Sequence, residues 1–168
     1  MLQKALEGAK AQGAETTLLY LNELTIRGCQ ACYACKKTGE CVVNDDMKQI
    51  YQLINEADGI ILGSPVYFGR FTAQVSPFMD RLFAYLKPDF TNSLGAGKKF
   101  ALVSTQNQPD VTLYAGLINS TAQVLTRIGF EPGPKPLVGT GLGVAGIALE
   151  KEDYLQAAFA IGKELASH

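Results

Sequence analysis

Histidine is almost missing from this chain. The single one, His168, is the last residue, so no Ser-His-Asp or Cys-His hydrolase arrangement can be built around an imidazole. Long apolar runs are missing too. None reaches the roughly 18 residues a membrane helix requires. The first residues, Met1 to Ala14, read as a helix of mixed charge, not as the basic start and apolar block of a signal peptide. An excess of one charge is also lacking. Fifteen Lys and Arg stand against 16 Asp and Glu, a formal net charge of −1, which offers no electrostatic attraction for nucleic acid or an anionic membrane. These absences lead us to expect a cytoplasmic protein with neither partner. In that compartment thiols stay reduced and serve as ligands or redox groups more often than as disulfides.

What is present is an ordinary globular composition. An apolar fraction of 47% and a charged fraction of 18% in 168 residues exclude long disorder and suffice for one domain with a real core, residues 1–168. Internal repeats and low-complexity segments are not found. Two hydrophobic periods alternate along the chain. Leu2, Ala5, Leu6 and Ala9 share a helical face, and Thr16 to Leu21 is a short β-rich run. Asn44, Asp45 and Asp46 supply a cap and first-turn acids for a helix marked by Met47, Ile50, Tyr51 and Ile54. Asp58 to Gly63 and Lys98 to Ser104 are apolar on both faces, as buried parallel strands are. Between them Val75, Phe78, Met79, Leu82, Phe83 and Leu86 form a third stripe, with Ser76 as cap and Pro77 at the first helical position. Leu117 to Ile128 is a helix stopped at Gly129, Pro136 to Thr140 a short strand, and Tyr154 to Leu165 a closing helix. Regular alternation of this kind predicts an α/β fold: a parallel sheet covered by helices on both faces. Ligands then sit at the carboxyl ends of the strands, in the loops after Leu21, Gly63 and Ser104.

The first of those loops holds every cysteine. Cys29, Cys32, Cys35 and Cys41 form a C-x2-C-x2-C-x5-C run within thirteen residues. Gly28 and Gly39 give the backbone turn freedom, and Arg27, Lys36 and Lys37 would offset the charge of a tetrathiolate. Three chemistries stand open. The overlapping C-x2-C steps resemble a ferredoxin run and suit a [4Fe–4S] cluster, although Val42 stands where ferredoxins put proline. Structural zinc is the second, though it favours two pairs set well apart. Reduced or pairing surface thiols are the third.

The other two loops carry different chemistry. Pro65-Val66-Tyr67-Phe68-Gly69 places two aromatics where they can line a flat ring system or simply plug the domain edge. Thr105-Gln106-Asn107-Gln108 is a polar loop whose amides could read a ring's carbonyls and NH, or be solvated. Gly141 to Gly146 spells G-x-G-x-x-G, but the chain ends before the βαβ unit and the acid such a fingerprint needs. It is read as a glycine loop. Asp80 and Arg81 are read as a helix-surface pair.

Three stretches together resemble the NAD(P)H-dependent FMN reductase superfamily, in particular the iron–sulfur flavoproteins. They are CQACYACKKTGECVVNDDM, EADGIILGSPVYFG and TAQVSPFMDR. The resemblance implies a flavodoxin-like three-layer sandwich, bound FMN, and a [4Fe–4S] cluster on Cys29, Cys32, Cys35 and Cys41. It implies that Pro65 to Gly69 lie against the isoalloxazine ring and that Thr105, Gln106 and Asn107 border it. It also implies NAD(P)H as a donor, a small-molecule acceptor or redox protein as partner, and a homodimer or homotetramer. Family members begin with a strand and a GSPR-type phosphate loop, whereas this sequence opens inside the first helix, so the first strand is expected to be missing. The competing function is a non-enzymatic metal-binding module, with zinc or redox thiols, on a degenerate flavodoxin scaffold.

Overall fold

In the computed structural model, which describes residues 1–167, the sheet is built around one strand. His168 lies outside the described residues. Strand β1 (Gly59–Tyr67) and strand β3 (Lys99–Thr105) pair in parallel from Gly59 against Lys99 to Pro65 against Thr105. Strand β2 (Arg70–Phe71) folds back antiparallel on the end of β1. On its other side β3 pairs in parallel with β4 (Glu131–Pro132) near its start and with β5 (Leu137–Gly139) near its end. Ala101 to Val103 of β3 are nearly inaccessible, as a central strand covered on both faces must be.

Helices cover both faces. On one side α3 (Met47–Glu56), α4 (Val75–Arg81) and α5 (Ala115–Ile128) pack Met47, Ile50, Ile54, Phe78 and Leu125 against Leu62, Phe100 and Leu102. On the other, α1 (Leu2–Lys10) and α6 (Glu152–Leu165) close over Ala101 and Val103, with Ile161 of α6 buried against them. These two helices touch backbone to backbone. A Cβ on Gly8 would overlap the Phe159 carbonyl, and one on Gly162 the Ala5 carbonyl, so glycine is what lets α1 and α6 approach.

Three expectations change in detail. Thr16 to Leu21 is not a strand among the described residues. It has no regular structure up to a single 3-10 turn at Leu21–Glu23, and Leu19 and Leu21 pack on the core edge. A β-rich sequence becomes a strand only beside a partner that completes its ladder. Helix α4 starts at Val75 with Gln74 as cap. Pro77 therefore sits inside the first turn, where no intrahelical donor is lost. The third stripe continues past Arg81 as a 3-10 turn, Leu82–Tyr85. The short β4 had no signature of its own.

Candidate functional site

Both strand-end loops lie on one rim, because Pro65 and Thr105 are paired residues of adjacent parallel strands. Beyond Pro65 the chain makes a two-residue hairpin, Phe68–Gly69, between the paired Tyr67 and Arg70. Phe68 has φ +51 and Gly69 φ +76. Positive φ at both central residues is the signature of the type I′ turn, whose twist matches the flanking strands. Glycine takes it freely, but phenylalanine does so at a cost of about 1 kcal/mol or more. Phe68 is nevertheless fully exposed, and Tyr67 is mostly exposed. Pro65 and Val66 are half-buried behind them, and the Tyr114 ring flanks Gly69 from the N-terminus of α5. The Phe68 ring therefore does not plug the domain edge within this chain, and its whole surface is open to solvent.

The neighbouring loop is braced from inside. Gln106 is 2% exposed. Its backbone N–H donates to Gly139, and its side-chain amide donates to the carbonyls of Gln108 at 3.1 Å and Asp110 at 2.7 Å. The Gln106 side chain is thus spent on holding the loop's shape, while its Oε1 has no partner. Thr105 is half-buried and Asn107 is exposed against the glycine loop at Gly143. The Thr112 hydroxyl and amide both donate to Asp110, and these bonds hold its carboxyl below the usual range.

The cysteine loop is a separate structure. All four thiols are free, Cys29 and Cys32 exposed, Cys35 and Cys41 half-buried. Ala31 and Tyr33 take φ of +50 and +57, so the backbone reverses twice within the C-x2-C steps. Helix α2 (Cys35–Thr38) follows, ended by Gly39 at φ +79. Among the described residues no three His, Cys, Asp or Glu side chains stand close enough to hold a metal ion. The sulfurs thus do not converge here as their spacing led us to expect. Metal binding itself supplies the free energy that gathers such ligands. The loop's tip is docked. Lys36 Nζ lies 3.7 Å above the Phe83 ring and donates to the carbonyls of Phe83 (2.6 Å) and Leu86, while Tyr33 meets the same ring edge-on at 5.6 Å.

Its neck is tied more firmly still. Arg81 is not a surface residue: its side chain is 1% exposed and its Nη1 stands 2.7 Å from Asp45 Oδ2. Burial alone would lower its pKa, but the Asp45 carboxylate keeps the guanidinium above its ordinary value. Asp45 resists burial likewise. Arg81 and the amides of Arg27 and Met47 donate to it and hold it below the usual carboxylate range. Asp46, at the N-cap of α3, makes no side-chain cap bond to the helix; its carboxylate instead accepts from the Thr25 amide at 2.7 Å. Arg81 could have been noticed in the sequence. It falls three residues after Phe78 on an apolar stripe, and a charge on a buried face requires an opposite charge.

A mostly parallel sheet covered by helices on both faces, with an aromatic turn on its carboxyl rim, has a flavodoxin-like architecture. Comparison with known proteins makes the assignment specific. The model of the NADPH-dependent FMN reductase family matches residues 1–116, and the chain belongs to that family. An iron-sulfur flavoprotein of Methanocaldococcus jannaschii is 32% identical over 168 residues, 99% of this chain and 86% of that protein. Another, from Methanosarcina thermophila, is 39% identical over 94 residues, 55% of this chain and 49% of that one. The matched stretch thus spans about half the length of the second relative. Among solved structures, the NAD(P)H:quinone oxidoreductase of Methanothermobacter marburgensis superposes with a TM-score of 0.75 at 18% identity, covering 99% of this chain and 87% of that one.

Proposed function

We propose that this chain is an FMN-dependent electron-transfer oxidoreductase whose thiol loop carries a [4Fe–4S] cluster, with NAD(P)H as one electron source and a small molecule or redox protein as acceptor. The observation that supports the flavin site best is the rim itself: a fully exposed Phe68 on a strained turn beside the paired ends of β1 and β3. A flat heteroaromatic ring would remove that surface from water, which is worth roughly 2 kcal/mol for a phenyl group. Pro65, Val66, Tyr67, Phe68 and Gly69 would hold the ring on one side. Thr105, Gln106 and Asn107 would border it, with Gln106 keeping the loop in shape from beneath.

The donor chemistry supports iron in the loop. Four free thiols, with no imidazole and only one carboxylate (Glu40) within the motif, form a soft, sulfur-dominated set. Cys29, Cys32, Cys35 and Cys41 would ligate as thiolates, and the reversals at Ala31 and Tyr33 already bend the chain for a wrap. When bound, flavin and cluster supply the interchange between two-electron and one-electron chemistry. The protein's own part is to bind, orient and exclude water, which fits a chain with one histidine, at its end. Both relatives described above carry the name iron-sulfur flavoprotein. No described helix is long and apolar enough to cross a membrane. We place the protein in the cytoplasm as a homodimer or homotetramer.

The test is metal and flavin analysis of protein purified without oxygen. We expect about four irons with matching sulfide per chain, FMN, and a brown-yellow colour. Stoichiometric zinc without iron, and no flavin uptake, would favour the non-enzymatic metal-binding module instead.

A further inference from the structure

Arg81 ties together two stretches of chain that are distant in sequence. Its Nη1 donates to the Arg27 carbonyl at 2.9 Å and to Asp45 Oδ2 at 2.7 Å. Its Nη2 donates to Asp45 Oδ1 at 3.2 Å and reaches the Val43 carbonyl at 3.5 Å. Arg27 stands two residues before Cys29, and Val43 two residues after Cys41. One guanidinium therefore spans the base of the segment that holds all four thiols. Asp45 closes the same base from the other side, accepting from the Arg27 amide at 3.0 Å. Thr25 and Asp46 add a reciprocal pair, Thr25 N–H to Asp46 Oδ2 and Asp46 N–H to the Thr25 carbonyl at 3.2 Å. Stability alone does not account for this ion pair. A buried pair gains little over well-packed apolar residues, since desolvation consumes most of the attraction. What it does supply is geometry, because a planar fork with several donors fixes two carbonyls and a carboxylate at once, which a single ammonium does not.

We propose that Arg81 and Asp45 are a positioning pair, a latch that keeps the neck of the thiol loop closed and thereby sets how firmly Cys29, Cys32, Cys35 and Cys41 retain an iron–sulfur cluster. The second half of this statement rests on the cluster assignment made above; the first half does not. The latch acts through the loop's ends and touches no bound group. Closing the neck removes chain entropy that the ligands would otherwise lose on gathering.

The experiment compares wild type with the double variant Arg81→Met/Asp45→Asn, which leaves no unpaired charge buried and so is expected to stay folded, and with Arg81→Lys. Two quantities are read. The first is amide hydrogen exchange at residues 25–28 and 42–46 and, as the global control, in β3, all on metal-free protein. The second is the rate of iron loss to a chelator from protein purified without oxygen. In the double variant the neck amides should exchange at least tenfold faster with β3 unchanged within twofold, and iron should leave at least tenfold faster. Arg81→Lys should fall between. Neck exchange within twofold of wild type overturns the latch, as does acceleration of neck and β3 alike, which marks a merely structural role. Faster neck exchange with unchanged iron loss also overturns it. If wild type holds no iron, the cluster assignment fails separately, and neck exchange alone sustains or overturns the latch.

Discussion

Phe68 carries a conflict between backbone comfort and surface chemistry. Its positive φ favours glycine, and its ring gains nothing from the fold because it is fully exposed. Phe68→Gly is therefore expected to raise stability by up to about 1 kcal/mol, seen as a higher urea midpoint. The same change should weaken FMN binding about tenfold, since a stacked aromatic contributes on the order of 1 kcal/mol. Flavin fluorescence titration measures it, and unchanged affinity would remove Phe68 from the ring site. Asp45 makes a prediction in pH. Its carboxyl is held below the usual range in the folded state, so the unfolded chain binds the extra proton first. The stability it contributes is present above the unfolded pKa of about 3.9 and is lost as pH falls through the lower folded value. Urea melts between pH 5 and pH 2.5 should show stability dropping on acidification. Asp45→Asn should flatten that drop while lowering stability at pH 7.

The helix pair α1–α6 shows how much an element can depend on one missing methyl group. Gly162→Ala should cost about 3 kcal/mol, at the upper end of overpacking, because the Cβ meets the Ala5 backbone and not a side chain that can turn aside. Chemical denaturation of the variant tests it; a cost under 0.5 kcal/mol, the range of ordinary surface changes, would mean the helices separate freely. Most elements were legible in the sequence, since apolar stripes at helical spacing and short apolar runs are local signals. Helices α3 and α5 and strands β3 and β5 lie where those signals put them, while β1 runs past its expected end at Gly63 through Pro65 and Val66 to Tyr67. Thr16 to Leu21 failed for the opposite reason. Its β-rich residues were correctly noticed, but strand formation needs a neighbour that no local pattern can supply.

Across the whole molecule, protection from solvent should follow the layering. β3 is covered on both faces and paired along both edges, so amides of Ala101 to Val103 should exchange only by global unfolding. Exposed residues 28–33 of the thiol loop should exchange fastest, with the neck between. Equal rates in loop and β3 would contradict this order. The rim and the loop are thus carried differently: the rim by paired strands, the loop by two side-chain anchors, the buried Arg81 neck and the Lys36–Phe83 tip.

Amino-acid order alone sufficed for the α/β alternation, the strand-end loops and the four-thiol spacing, because each is written in residues close together along the chain. It misjudged Arg81 as a surface residue. Burial of that guanidinium depends on Asp45, 36 positions earlier, and on the carbonyls of Arg27 and Val43, 54 and 38 positions earlier. Long-range charge pairing has no period to read, so folding alone could reveal which acid it meets.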